Sequence, residues 1–327
     1  MKERQFNNVI LTGDCLDQLN DLADSSVDLI VTSPPYADAR KSTYGGIHPD
    51  DYVGWFLPRS EQFLRVLKET GSFILNIKEK VVDGERHTYV LDLILALKEQ
   101  GWYWVEEYVW HKKNPVPGKW ANRLRDGWER LLHFTKEKQG FKMIQDAVRV
   151  PIGDWQQKRK PPRQTADSGR RERTNGSGFG TKDSYWIDKE TVLPSNVLWL
   201  PTQGSQNHSA AFPEALAEFF IKLFTDEGDM VLDPFAGSGT TLAVAKRLNR
   251  RYIGVELHQK YVDVIRQRLG ACEPLMGTSS EPSEAPDQVT FSIASHEAGL
   301  NLMRKRERSY EEFRERMLAL AATELAA

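Results

Sequence analysis

The sequence predicts a doubly wound α/β fold with a mostly parallel sheet. Short apolar segments with strand character alternate with segments of helical period in both the first and the last part of the chain. This alternation is typical of a parallel sheet covered by helices on both faces. Two stiff or glycine-rich turns follow such strands directly, at residues 33–36 and 234–239. A basic region separates the two alternating parts and predicts an insertion.

The first part of the chain contains four runs of apolar, β-branched and aromatic residues, which predict strands. They are Asn8–Thr12, Val27–Thr32, Ser72–Ile77 and Trp102–Trp110. Apolar residues at helical spacing predict helices over residues 16–22, 52–68 and 89–99. Pro58 is expected to interrupt or kink the second of these helices.

The regular pattern breaks after Asn114, where prolines punctuate the chain up to residue 202. It returns with a helix that ends near Phe224 and has Pro213 in its first turn. Beyond it the sequence predicts a βαβ unit and a closing helix. These elements are Met230–Asp233, Thr240–Leu248, Tyr252–Glu256 and residues 258–269.

These patterns divide the chain into four regions: 1–113, 114–205, 206–270 and 271–327. The first and third are the two halves of one α/β domain, and the second is the basic insertion. The fourth begins with a linker rich in Pro, Ser, Glu and Gly, and its last residues predict a solvated helix.

The composition favours a globular protein without a membrane span. The chain has 327 residues and a formal net charge of −2. It contains no run of roughly 18 consecutive apolar residues, and its first residues lack the apolar core of a signal peptide. Cys15 and Cys272 are too few for a disulfide framework or a cysteine-rich metal site. We therefore expect a reduced, cytoplasmic protein that binds no metal.

The glycine-rich turn reads DPFAGSGTT over residues 233–241 and lies where a strand passes into a helix. Glycines let the backbone approach a ligand closely, and a helix N-terminus offers free N–H groups. Glu256 ends the next predicted strand, where it can accept hydrogen bonds from ribose hydroxyls. The turn therefore predicts a nucleoside cofactor, and the alternative is a tight turn with no ligand. Leu242 and the lack of a following Lys disfavour dinucleotide and P-loop sites.

The second turn, Ser33-Pro34-Pro35-Tyr36, follows a predicted buried strand directly. Two prolines stiffen the turn and present carbonyl oxygens without competing N–H donors, which suits the binding of an amino group. Ser33 adds a further acceptor, and Tyr36 offers a ring on which a base can stack. A rigid turn with a packed tyrosine is the structural alternative.

Together the two turns resemble motifs IV and I of the S-adenosylmethionine-dependent exocyclic amino DNA methyltransferases. Their order is that of the β class, in which the catalytic half precedes a target-recognition region and the cofactor half. The resemblance covers about residues 8–270. Residues 13–15 resemble the family's adenine-contacting turn, residues 254–257 its ribose-binding motif, and residues 208–213 the segment before motif I that holds the methionine end. Residues 71–77 and 110–115 match the weaker intermediate motifs.

The resemblance implies roles for the residues of the first turn. Ser33 and the carbonyl of Pro34 accept the hydrogens of the target amine, Pro35 stiffens the turn, and Tyr36 stacks on a base flipped out of the duplex. Members with Ser at the first position usually methylate cytosine N4, and those with Asp usually methylate adenine N6. Ser33 therefore points to cytosine N4, with adenine N6 as the alternative.

The resemblance also implies the residues that bind S-adenosylmethionine. They are Asp14, Cys15, His208, Phe212, Asp233, Phe235, Gly237, Ser238, Gly239, Thr240, Glu256 and Leu257. For Asp14 the alternative is a turn or capping residue, and for His208 it is an ordinary loop histidine.

The basic insertion predicts contact with double-stranded DNA. Residues 111–182 contain 18 Lys and Arg against 7 Asp and Glu, a local balance of +11. Arg, Gln and Asn side chains suit phosphates and base edges, and Trp155 and Trp186 are candidates for base stacking. The predicted DNA-binding residues are Lys158, Arg159, Lys160, Arg163, Arg170, Arg171 and Arg173. The alternative is a solvated loop.

The resemblance thus implies a methyltransferase of a bacterial restriction–modification system, acting on DNA in the cytoplasm or nucleoid. Cytosine-C5 chemistry is disfavoured because neither cysteine follows a proline as the nucleophile of that reaction does. The more distant alternatives are an inactive nucleic-acid-binding module and a nicotinamide-dependent oxidoreductase. The recognition sequence, a homodimer and a separate cognate restriction endonuclease are left open.

Overall fold

The computed structural model describes residues 6–39, 46–115, 122–151, 191–202 and 212–270. The chain divides into two compact units. The larger comprises Met1–Met143 and Asn196–Ala327, and the smaller comprises Ile144–Ser195. Within the described ranges, no helix is long and apolar enough to cross a membrane.

Eight strands of the described ranges form the sheet of the larger unit. They are β1 (Val9–Thr12), β2 (Val27–Thr32), β3 (Leu67–Ile77), β4 (Tyr103–Lys112), β5 (Trp128–Thr135), β6 (Val197–Leu200), β7 (Met230–Asp233) and β8 (Arg251–Glu256). The strand order is β1-β8-β7-β2-β3-β5-β4-β6. The pairs formed by β5 with β3 and β4 are antiparallel, and the other pairs are parallel. The predicted mostly parallel sheet is confirmed.

Within the described residues, six helices connect and cover these strands. They are α1 (Cys15–Gln18), α2 (Tyr52–Val66), α3 (Tyr89–Gln100), α4 (Glu214–Phe224), α5 (Thr240–Arg247) and α6 (Gln259–Leu269). The predicted helix over 16–22 is shorter, since α1 passes into a 3-10 turn at Leu19–Asp21. Helix α2 continues through Pro58, so the expected interruption of the helix does not occur. Strand β3 begins at Leu67, five residues before the predicted start.

Helices pack on both faces of the sheet. Phe63 of α2 contacts Phe73 of β3, and Phe220 of α4 contacts Tyr108 of β4. Phe73 and Tyr108 pair with Phe134 and Leu131 of β5, respectively. Because those β5 residues are three positions apart, their side chains point to opposite faces of the sheet. The two helices therefore cover opposite faces, as the doubly wound prediction requires.

The region predicted as a basic insertion contributes two strands to this sheet. Strand β5 lies between β3 and β4, and β6 forms the edge beside β4. The expectation that regular α/β structure stops at Asn114 is therefore wrong for these segments. Their pairing partners lie far away in the sequence, so local periodicity gives little signal for their place in the sheet.

The smaller unit is described only near its two ends. A 3-10 turn at Gln145–Val148 precedes Val150–Pro151, which pairs in antiparallel fashion with Thr191–Val192. The Arg149 guanidinium donates to the carbonyl and the hydroxyl of Thr191, which ties the two short strands together.

Candidate active site

The two predicted turns come together at the carboxyl edge of the sheet. Strand β2 leads into Ser33 and its neighbour β7 leads into the glycine turn, while β8 ends at Glu256. In open parallel sheets this edge is where ligands bind. The topology therefore brings together residues that lie more than 200 positions apart in the sequence.

Asp233 joins the ends of β2 and β7. Its carboxylate accepts hydrogen bonds from the hydroxyls of Thr32 and Thr241, each at 2.7 Å, and from the backbone N–H of Phe235 at 3.1 Å. The side chain is only 2% exposed. Burial raises the pKa of Asp233 to about 6, against the opposing effect of these hydrogen bonds. Asp233 thus holds the two turns in a fixed arrangement.

The glycine turn adopts backbone conformations that favour glycine. Gly237 and Gly239 have φ angles of +54° and +75°, in the left-handed region. A Cβ on Gly239 would also lie 2.9 Å from the side chain of Ile265 in α6. Ser238 and Thr240 are buried, and Arg268 of α6 donates to the carbonyl of the former and the hydroxyl of the latter. The turn is therefore fixed from behind by α6.

Glu256 closes the other side of the glycine turn. Its two carboxylate oxygens accept the backbone N–H groups of Gly237 at 2.9 Å and His258 at 3.0 Å. Burial raises its pKa, and the backbone hydrogen bonds oppose that shift. Its backbone carbonyl accepts from Gly13 N, which ties the turn after β1 to the same place. Each carboxylate oxygen keeps a further lone pair for a ligand. The next residue, Leu257, is 43% exposed.

Asp14 is a helix cap and half of an ion pair. One carboxylate oxygen accepts the N–H of Leu16 at 2.9 Å and caps α1, while the other lies 2.5 Å from Arg59. The Arg59 guanidinium also lies over the Trp55 ring, 4.3 Å from its centroid, and Trp55 contacts Phe235. Arg59 therefore connects two of the predicted cofactor residues, and sequence reasoning missed it.

Two further predicted cofactor residues are packed in the interior. Cys15 is buried in α1, where burial raises the pKa of its thiol far above the usual range. Phe212 is buried just before α4. Both positions agree with a supporting role for the apolar body of the side chain.

The Ser-Pro-Pro-Tyr turn is held from two sides. The Tyr52 hydroxyl donates to the carbonyl of Pro35 at 2.9 Å. Ser33 Oγ donates to the Tyr36 hydroxyl at 3.3 Å, and Tyr36 in turn donates to Glu129 at 2.7 Å. Pro34 is buried. The turn is thus anchored by side chains from α2 and β5.

Glu129 is the second site residue that sequence reasoning missed. It lies on β5, only 7% exposed, and its carboxylate binds three side chains. These are Tyr36, Asn76 at 3.1 Å and Lys112 at 2.5 Å. Burial has the larger effect and the Glu129 carboxylate the smaller one, and together they raise the pKa of Tyr36 well above its usual value. The sequence offers one signal for Glu129, a charged residue within an apolar strand. This signal indicates a site residue only when the position of that strand in the sheet is known.

Comparison with known proteins agrees with this geometry. A family model for N6 and N4 methyltransferases, described as DNA methylase, matches residues 27–267. The chain belongs to this DNA methylase family. The type II methyltransferase M.PvuII of Proteus hauseri is 30% identical over 278 residues, which cover 78% of this chain and 82% of that protein.

The solved structures that resemble this DNA methylase include two methyltransferases. The PvuII DNA methyltransferase (cytosine-N4-specific) has a TM-score of 0.61 at 24% identity and covers 83% of this chain and 89% of its own, a likeness that shows the fold. A DNA modification methylase of Thermus thermophilus, solved with S-adenosyl-L-methionine, has a TM-score of 0.52 at 26% identity. That match covers 80% of this chain and 92% of the other.

The DNA methylase uses S-adenosylmethionine, which supplies an electrophilic methyl group when bound. The residues at the carboxyl edge fit its adenosine part. Glu256 offers buried acceptor oxygens, Phe235 offers an aromatic face, and Gly237 lets the backbone approach closely. The donor and acceptor chemistry of this edge thus suits a ribose and a purine.

Several predicted site residues lie outside the described residues. His208 falls within 203–211, and Trp155 and Trp186 fall within 152–190. The predicted DNA-binding residues Lys158, Arg159, Lys160, Arg163, Arg170, Arg171 and Arg173 fall in the latter range too. Their roles stay predictions.

Proposed function

We propose that this DNA methylase transfers a methyl group from S-adenosylmethionine to the N4 amino group of cytosine within a short duplex sequence. The observation that carries the proposal is the neutral hydroxyl of Ser33 at the start of the rigid turn after β2. Ser33 Oγ and the Pro34 carbonyl are the two acceptors for the two hydrogens of the target amine. The cytosine-N4 specificity of the PvuII enzyme supports this choice of base.

The chemistry requires orientation because an exocyclic amine is a weak nucleophile whose lone pair is delocalised into the ring. Two acceptors that hold both hydrogens favour a pyramidal nitrogen and aim its lone pair at the methyl group. Such positioning supplies much of the rate in a displacement. The same oxygens stabilise the positive charge that develops on the nitrogen. Tyr36 stacks on the base after it has been flipped out of the duplex.

The cofactor residues are proposed to act as a set at the carboxyl edge. Glu256 accepts the ribose hydroxyls, Asp14 faces the adenine amino group with its remaining lone pairs, and Phe235 packs on the cofactor. The backbone from Gly237 to Thr240, together with Asp233, shapes the approach to the helix N-terminus. Leu257 lines the adenosine and Cys15 contributes through its backbone beside Asp14, while His208 and Phe212 are proposed to bind the methionine end.

DNA recognition is proposed for the basic region and its seven predicted cations between Lys158 and Arg173. Their charge suits phosphates, and the arginines suit guanine edges.

The type II designation of M.PvuII supports a role in restriction–modification, in which methylation protects host DNA in the bacterial cytoplasm from a separate endonuclease. A homodimer is compatible with this role and is not required by the chemistry.

The experiment that tests the proposal is nucleoside mass spectrometry. Unmodified plasmid DNA and then genomic DNA are incubated with the full-length protein and S-adenosylmethionine, with Ser33→Ala as the matched control. N4-methylcytosine in the wild-type reaction alone is the expected product. N6-methyladenine would overturn the choice of base while leaving the family assignment intact. No methylated base on either DNA would overturn the proposed activity.

A further inference from the structure

We propose that Glu129 is a positioning residue that sets the direction of a hydrogen-bond chain ending at Ser33. The chain runs from Ser33 Oγ to the Tyr36 hydroxyl and on to the Glu129 carboxylate. Because every hydrogen bond in this series points toward Glu129, Ser33 Oγ presents only its lone pairs to the target amine. This inference rests on the proposed role of Ser33 as an acceptor, and it holds for either target base.

The first step concerns the charge state of Glu129. Lys112 Nζ lies 2.5 Å from one carboxylate oxygen, and the Asn76 amide donates to the other at 3.1 Å. Both neighbours are donors, and Lys112 pairs with Glu129 as a cation with an anion, so both carboxylate oxygens act as acceptors. An ionised carboxylate can only accept hydrogen bonds. The interaction between Tyr36 and Glu129 at 2.7 Å therefore requires that Tyr36 be the donor.

The second step follows from the single hydrogen of a phenol. Because that hydrogen is directed to Glu129, the Tyr36 oxygen can offer only a lone pair to its other neighbour. Ser33 Oγ lies 3.3 Å away and donates to that lone pair. The hydroxyl hydrogen of Ser33 is then bound to Tyr36. The lone pairs of Ser33 Oγ stay available to a ligand.

The third step concerns the target amine, which presents two hydrogens and needs acceptors. A serine whose hydrogen is already committed to Tyr36 cannot direct it at the amine. Its oxygen instead presents partial negative charge where positive charge develops during methyl transfer. Glu129 thus orients the Ser33 hydroxyl before the reaction, although it does not touch the substrate.

The glutamine variant reverses this chain without changing its size. In Glu129→Gln, the amide oxygen accepts from Lys112 and the amide nitrogen takes the place of the oxygen that Tyr36 and Asn76 now share. That nitrogen donates to Tyr36, while the Asn76 amide keeps its hydrogen bond to the Arg130 carbonyl. Tyr36 is then free to donate to Ser33, whose own hydrogen turns toward the amine. The substitution therefore replaces an acceptor by a donor at the reacting nitrogen.

The test measures methyl transfer to DNA with tritiated S-adenosylmethionine, on the DNA that the wild type modifies. We expect Glu129→Gln to lower kcat by about 100-fold, the usual effect of one misdirected polar group in an active site. The KM values for DNA and S-adenosylmethionine should change little. The matched control is Glu107→Gln, which removes a carboxylate paired with Arg130 on the opposite face of the same sheet.

A double-mutant cycle separates an effect on the direction of the hydrogen bonds from an effect on the fold. Tyr36→Phe removes the hydroxyl link, so Glu129→Gln added to it should lower kcat little further. Thermal unfolding of each variant checks that the fold is retained. The inference is overturned if Glu129→Gln keeps kcat near the wild-type value, or if the two substitutions lower kcat independently. The readout counts methyl groups on any base, so transfer to adenine contradicts the proposed base and leaves this test intact. Absence of transfer by the wild type overturns both.

Discussion

The hydroxyl of Thr32 donates a 2.7 Å hydrogen bond to the carboxylate of Asp233, 201 residues away in the sequence. Thr32 ends β2 immediately before the Ser-Pro-Pro-Tyr turn, and Asp233 ends β7 immediately before the glycine turn. The same carboxylate accepts from Thr241 at the start of α5. One buried group therefore fixes the proposed catalytic turn relative to the proposed cofactor turn. In-line methyl transfer depends on such a fixed relation.

The first prediction concerns the two catalytic side chains. Ser33→Ala removes an acceptor for the target amine, and Tyr36→Ala removes the stacking ring and the link to Glu129. We expect each variant to lose methyl transfer by about 100-fold or more. Binding of S-adenosylmethionine, measured by calorimetry, should largely survive because neither residue belongs to the proposed cofactor set. Wild-type turnover in either variant would contradict the assignment.

The second prediction is a pH dependence of stability at Asp233. Burial raises its pKa from 3.8 to about 6. Between these values the folded protein holds a proton that the unfolded chain has released, so the contribution of Asp233 to stability falls as pH rises. The shift corresponds to a change on the order of 3 kcal/mol.

Urea unfolding at pH 4.5 and pH 7 measures this effect as the difference between the wild type and Asp233→Asn. The difference in the free energy of unfolding in favour of the wild type should decrease as pH rises. Asp83→Asn, which alters an exposed carboxylate, is the matched control. An equal difference at both pH values would show that Asp233 titrates normally.

The third prediction concerns the cofactor site. Glu256→Gln keeps the size of the side chain but presents an amide N–H group where two backbone N–H groups now donate. We expect the Kd for S-adenosylmethionine to rise by about tenfold or more, since hydrogen bonds to a charged acceptor contribute about 1.5–3 kcal/mol each. Calorimetric titration measures the change, and Glu85→Gln on the surface serves as the control. An unchanged Kd would exclude Glu256 as the ribose acceptor.

The fourth prediction concerns the buried guanidinium of Arg59, which pairs with Asp14 and lies over Trp55. Arg59→Met removes the charge and retains much of the volume. We expect a loss of about 2 kcal/mol in the free energy of unfolding, less than for a fully buried pair because Asp14 is partly exposed. Cofactor affinity should fall as well, because Asp14 and Trp55 lose their common partner. If both the free energy of unfolding and the affinity for S-adenosylmethionine are unchanged, Arg59 does not support the cofactor site.

The fifth prediction concerns the basic region. Replacing Arg170, Arg171 and Arg173 by Gln should weaken DNA binding and reduce the slope of log affinity against log salt by about 0.9 for each phosphate that the variant no longer neutralises. Fluorescence anisotropy at several salt concentrations measures both quantities. The matched control replaces the three consecutive cations at residues 304–306 in the C-terminal tail. If the triple variant keeps the wild-type slope, these arginines do not contact DNA phosphates.

The sequence by itself determined the local elements of the site. The apolar runs of β2, β7 and β8 were predicted nearly to the residue, because a buried parallel strand is a continuous apolar segment. The turns that follow them carry their own signals in proline and glycine, which restrict or extend the backbone. Since parallel strands share a carboxyl edge, the meeting of these turns could also be foreseen.

Only the tertiary structure decided which groups support those turns. Strand β5 pairs with β3 and β4 in antiparallel register, and this places Glu129 beside Tyr36. Arg59 reaches Asp14 across 45 residues through the packing of α2. Pairings of this kind depend on side chains from distant segments meeting in a buried environment. Such environments arise from packing, which no local period or turn motif encodes.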